Sequence, residues 1–111
     1  MADKKWEESL ALYDAVVGEH PDFERKGKSM PYTSVNGHMF SMLRKDGVLG
    51  MRMSKEDREA FMEDYGVGQF TNYGANIREY VEIPDAVLND KKKLTAYLAA
   101  SYQYTLTLKP K

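Results

Sequence analysis

The stretch Val35-Asn36-Gly37-His38-Met39-Phe40-Ser41-Met42-Leu43-Arg44-Lys45-Asp46-Gly47-Val48-Leu49-Gly50-Met51-Arg52-Met53 decides how the chain is read. It holds two hairpin dipeptides, Asn36-Gly37 and Asp46-Gly47, each flanked by apolar-rich runs. Such dipeptides favour type I′ turns, in which both central residues take positive φ. Three antiparallel strands are therefore expected, over about residues 29–35, 38–44 and 48–53. In the third, Leu49, Met51 and Met53 alternate with Gly50 and Arg52, which gives one core face. In the second, Met39 and Leu43 fall opposite Phe40 and Met42, so both faces carry apolar side chains.

Outward from this meander the period becomes helical. Upstream, Trp6, Leu10, Tyr13 and Val17 recur at offsets of four, three and four, predicting a helix over about residues 4–17. Asp3, Glu7 and Glu8 lie at its positive dipole end, and Gly18 and Pro21 stop it. Downstream, Ser54 with Asp57 three residues later resembles a capping box, and opens a second helix that buries Phe61, Met62 and Tyr65. Gly66 ends that helix, and the glycine-rich segment 66–76 reads as a loop. Alternation returns over 78–83, with Val81 and Ile83 on one face and Tyr80 and Glu82 on the other, until Pro84. A last helix over about 90–108, with Asn89 as N-cap, turns Leu94, Tyr97, Leu98, Ser101 and Thr105 inward. The expected fold is α+β, a two-layer sandwich with helices on one face of an antiparallel sheet, in the order α-βββ-α-ββ-α. Residues 1–111 are read as one domain, since two cores in a chain of this length would each be too small.

Composition narrows the function classes. Sixteen basic residues against seventeen acidic ones leave a net charge of −1, whereas a phosphate-gripping domain carries a basic excess. Direct nucleic-acid binding is thus disfavoured. Nowhere do about 18 consecutive apolar residues occur, so no membrane span is expected. The polar N-terminus, which includes Trp6, is not read as a signal peptide. The chain has no Cys, so it offers no disulfide and no thiolate, and a cytoplasmic location is expected.

Several local sequences carry a resemblance when taken in order: 35–40 (Val-Asn-Gly-His-Met-Phe), 46–49 (Asp-Gly-Val-Leu), 51–54 (Met-Arg-Met-Ser), Phe70 with Gly74, 80–84 (Tyr-Val-Glu-Ile-Pro) and 94–98 (Leu-Thr-Ala-Tyr-Leu). Their order and spacing, from about residue 23 onward, resemble the N-terminal domain of the TfoX (Sxy) family. The resemblance implies a bacterial, non-enzymatic regulatory domain. The family's best-known members carry a second, helical domain and promote expression of competence genes. Because the sequence ends at Lys109-Pro110-Lys111, that second domain is expected to be missing. The family pattern supplies no catalytic residues.

The residues themselves offer little chemistry. Two histidines, His20 and His38, lack the neighbouring ligands that zinc needs, so no metal and no cofactor are expected. The acid pairs Glu7-Glu8, Glu56-Asp57 and Glu63-Asp64 are adjacent on helices and do not face each other. Gly66-Val67-Gly68 follows a helix and precedes no Gly-Lys-Ser/Thr, so it is no phosphate loop. No nucleophile elbow occurs, and no catalytic residue is assigned. Met39, Met42, Leu43 and Tyr80 are the candidate partner-binding residues, because helices on one side of a sheet cover only one of its faces. Lys91, Lys92 and Lys93 form a basic run in the first turn of the last helix, against its dipole. They are a candidate anion contact, together with Arg25, Lys26 and Lys28. The expected function is an adaptor that contacts a protein partner or a second copy of itself. The alternative is a small-ligand-binding domain or enzyme that uses the 66–76 loop as a lid beside Tyr73 and Tyr80.

Overall fold

A computed structural model describes residues 4–28, 30–72 and 74–110; Asp3, Ser29 and Tyr73, used in the sequence reading, lie outside them. The elements are α1 (Lys4–Val17), β1 (Tyr32–Val35), β2 (His38–Leu43), β3 (Leu49–Arg52), α2 (Lys55–Tyr65), β4 (Gln69–Asn72), β5 (Ala75–Ile83), α3 (Asp85–Leu88) and α4 (Lys91–Leu106). The strands form one antiparallel sheet in the order β1-β2-β3-β5-β4, and the helices pack against it. The α+β class and the element order expected from the sequence are thus observed. No helix among the described residues is long and apolar enough to cross a membrane.

The two hairpins are closed by different turns. At the first, Asn36 and Gly37 both have positive φ (57° and 81°), as a type I′ turn requires. The second departs from that expectation. Only Gly47 is left-handed (φ 88°), its N–H donates to the Arg44 carbonyl, and the Arg44 N–H donates to Val48. This is the three-residue loop in which a type I turn is followed by one left-handed residue. A side chain at Gly47 would also collide with Lys5 of α1, at 2.6–2.9 Å.

Strand β2 contains the feature that the sequence pattern hid. Thr33 pairs with Ser41 while the next residue, Ser34, pairs with Met39, so Phe40 is an extra residue without a partner on β1. Such a bulge turns two consecutive side chains to the same side and shifts the alternation by one. The expected faces are corrected accordingly. Phe40 and Leu43 both enter the core beneath the helices, whereas Met39 and Met42 share the opposite face.

Three further boundaries differ. The segment read as a loop over 66–76 contains β4, an edge strand with Phe70 as its buried residue. Pro84 does not merely end β5 but caps the short helix α3. The N-cap of α4 is Asp90, whose carboxylate accepts from the Lys93 N–H (3.1 Å), not Asn89. The Ser54 cap is as expected, with its hydroxyl accepting from the Asp57 N–H.

The main core lies between sheet and helices. Tyr13, Val17, Phe40, Leu43, Leu49, Met51, Met53, Phe61, Val81, Ile83, Leu94 and Leu98 are buried there, with Trp6 and Leu10 half-buried at its margin. Each large side chain fully withdrawn from water contributes about 1.5–3 kcal/mol. Buried hydroxyls fix the layers against each other. Ser9 donates to the Gly47 carbonyl (2.7 Å), Ser101 donates to the Phe40 carbonyl at the bulge (3.1 Å), and the Tyr13 hydroxyl joins Ser41, which joins Thr33.

Candidate functional site

The helix layer is not continuous. Helix α4 packs on β2 and β3, and α2 packs on β5; the two helices meet through aromatic side chains. Between them runs an open groove with a cavity of about 200 Å³. Helix α2 contributes Asp57, Ala60, Phe61 and Asp64, and α4 contributes Tyr97, Ala100, Ser101 and Tyr104, with Met53 at the floor. Each helix thus presents positions i, i+3, i+4 and i+7, the residues that share one face.

The walls differ in chemistry. The rings of Phe61 and Tyr97 meet edge to face at 4.9 Å, and the Tyr65 and Tyr97 hydroxyls are 3.3 Å apart, which closes one end. That hydroxyl contact with Tyr65, followed by burial, pushes the Tyr97 pKa up to about 12, so it stays a neutral phenol at physiological pH. At the other end the Tyr104 hydroxyl donates to Glu79, whose second carboxylate oxygen accepts from Arg52 (2.6 Å). Burial, then this hydrogen bond, raises the Tyr104 pKa. Glu79 has a left-handed backbone (φ 70°), uncommon for a residue with a side chain. Its carbonyl accepts from Met53, so both ends of the residue are tied. Ala60 and Ala100 are exposed on the groove and keep it wide. Asp57 and Asp64 line its rim, and neither is in an ion pair among the described residues.

The partner-binding residues expected from the sequence do not form a surface. Leu43 is fully buried in the main core, because the bulge turns it toward the helices. Tyr80 is fully buried and Met42 is 6 % exposed on the opposite face, with Met39 half-buried beside them. The chain covers that face itself. Phe70 of β4 lies over Gly50, the Arg44 guanidinium sits over the Phe70 ring at 5.3 Å, and that of Arg52 over the Tyr80 ring at 5.4 Å. Arg52 also donates to the Met39 carbonyl (2.9 Å), and Arg44 to that of Thr71 (2.6 Å). Burial pushes the Tyr80 hydroxyl far above its ordinary pKa, with Arg52 opposing, and that hydroxyl has no hydrogen-bond partner among the described residues. The segment expected to act as a lid, 66–76, contains strand β4, and on that side of the sheet Tyr80 packs with Phe70 and Met42.

Lys91, Lys92 and Lys93 are all exposed. Lys91 pairs with Glu19 (2.6 Å), and the α4 N-terminus they flank is already capped by Asp90. Arg25 is taken up by Asp14 (2.8 Å) and the Gly27 carbonyl. The His20 ring stacks on Phe23 at 4.2 Å, and His38 Nε2 lies 2.8 Å from the Lys109 carbonyl. Among the described residues no group of three His, Cys, Asp or Glu side chains could hold a metal ion.

The sequence does not predict the groove. The signal existed as matched spacings, 57-60-61-64 and 97-100-101-104, but the sequence does not say that these two faces lie side by side. No family model matches the chain, and neither does any curated protein or solved structure.

Proposed function

We propose that this domain is a non-enzymatic docking module, a regulatory adaptor of the cytoplasm, whose protein partner enters the groove between α2 and α4. The observation that carries the reading is the groove itself: an apolar, aromatic-walled trough of about 200 Å³, open to solvent, with small residues at its lips. Small-molecule sites run to about 300–1,000 Å³ and bury most of their ligand. A trough below that range accepts one large side chain from a partner instead. Aromatic walls suit such an anchor, since Tyr supplies rigid apolar surface and a polar tip. The resemblance to TfoX N-terminal domains supports the regulatory half of the reading.

The test places a photo-cross-linking residue at Ala100 in the groove and, separately, at Ser34 on the opposite face. A discrete adduct from position 100, lost when Ala60→Arg fills the groove, supports the reading. Adducts from position 34 alone, or adducts from position 100 that survive Ala60→Arg, refute it.

A further inference from the structure

Resting on that docking reading, we infer that the groove's occupant is a basic amphipathic helix of a partner protein, one that sets two cations seven residues apart around an apolar anchor. The argument is one of charge and spacing. Helix α4 has no charged residue between Leu94 and Leu108, so the groove takes its sign from α2. There Asp57 and Asp64 occupy the rim at a separation of seven residues, and α2 adds Glu56, Glu59 and Glu63 against only Lys55 and Arg58. Arg58 is directed to the Met53 carbonyl (3.1 Å). Seven residues of helix span about 10.5 Å, so a helix lying along the groove meets both carboxylates with cations at its own i and i+7. The residue between them falls over Phe61 and Met53. Ala60 and Ala100, both exposed, permit the close approach that helix packing at about 8–10 Å demands. An acidic helix meets two unpaired carboxylates at the rim, and a neutral one leaves them without partners.

The probes are two synthetic peptides of about 16 residues, long enough to reach helical geometry on docking. They share a Leu/Ala face; one carries Arg at two positions seven apart, and its twin carries Glu there. Binding to the full chain is followed by amide chemical shifts. The Arg peptide is expected to shift Ala60, Tyr97 and Ala100 and to bind at least tenfold tighter than the Glu peptide. Its affinity should fall about fivefold in Asp57→Asn/Asp64→Asn, and further in high salt, as exposed ion pairs do. Equal binding of the two peptides in the groove overturns the basic-helix inference and leaves the docking reading standing. Absence of groove shifts with the Arg peptide at millimolar concentration also overturns it, while the docking reading is judged by cross-linking. Butylguanidinium that matches the peptide's affinity makes the groove a small-cation site, and a concentration-dependent dimer blocked by Ala100→Arg assigns it to a second copy. Either result overturns the inference.

Discussion

Gly50→Ala tests how the sheet's outer face is closed. Gly50 sits on β3 opposite Glu82 and Met42, and a methyl group there would lie 2.5–2.6 Å from three carbons of the Phe70 ring. The glycine has no left-handed φ, so its backbone accepts alanine without strain. On backbone entropy alone the substitution would stabilise by about 0.4–1 kcal/mol. The structure reverses that sign. Phe70 is fully buried between the sheet and Arg44, so its ring has to shift against packed neighbours to admit the methyl. Overpacking of this kind costs about 1–3 kcal/mol. Gly68 is the control, because its added methyl meets nothing within 4 Å and its φ is also not left-handed. Gly68→Ala should be neutral or slightly stabilising, so the two variants should differ by about 1–4 kcal/mol. Urea unfolding at 25 °C reads the difference directly. In a Phe70→Ala background the cost of Gly50→Ala should vanish. Gly50→Ala as stable as the parent, or the same cost with and without the ring, would refute the packing of Phe70 on Gly50.

Ser54→Ala should cost about 0.5–2 kcal/mol in urea unfolding and speed exchange of the Asp57 amide, whose acceptor is removed. Burial raises the Tyr13 pKa to about 12, so the folded chain holds this proton more tightly than the unfolded one. Stability from this group is complete below pH ~10 and is lost as pH rises toward 12, with a total on the order of 3 kcal/mol. Tyr13→Phe should flatten that alkaline decline; an unchanged slope would sink the assignment. Arg52→Met keeps apolar contact with Tyr80 but removes the hydrogen bonds to Met39 and Glu79, at a cost of about 1.5–3 kcal/mol in thermal or urea unfolding. Glu79→Gln should cost less, since its one carbonyl oxygen still accepts from Arg52 and its amide N–H can donate to the Tyr104 hydroxyl, reversing the bond that Tyr104 now gives.

What the sequence showed and what it hid follow from how far each interaction reaches along the chain. Turn chemistry and caps are local, so Asn36-Gly37, Ser54 and the helix stops at Gly18 and Gly66 were legible. The core faces of α1, β3 and α4, and of β5 over 80–83, were legible as well, because the period is unbroken there. The bulge at Phe40 was not, since an inserted residue leaves no mark except apolar side chains on both faces. Such side chains fit an exposed apolar face as well as they fit a shift of phase. Strand β4 was hidden by its glycine-rich flanks and by having one strongly apolar residue, Phe70, whose burial depends on the absent side chain of Gly50. The groove was illegible for a different reason. Its two walls are separated by more than thirty residues, and their adjacency is decided by which strand each helix covers.

The two walls of that groove are not held alike. Helix α4 buries Leu94, Leu98, Ser101 and Thr105 and is keyed to the bulge by Ser101, whereas α2 buries Phe61 alone. Apolar contact resists separation but not sliding, while a hydroxyl seated on a particular carbonyl sets an address along the strand. Helix α4 is therefore registered against the sheet by a polar contact, whereas α2 rests on it through Phe61 with the half-buried Met62 and Tyr65 beside it. A load placed across the groove is therefore expected to be taken up on the α2 side before it disturbs the registry of α4 on β2.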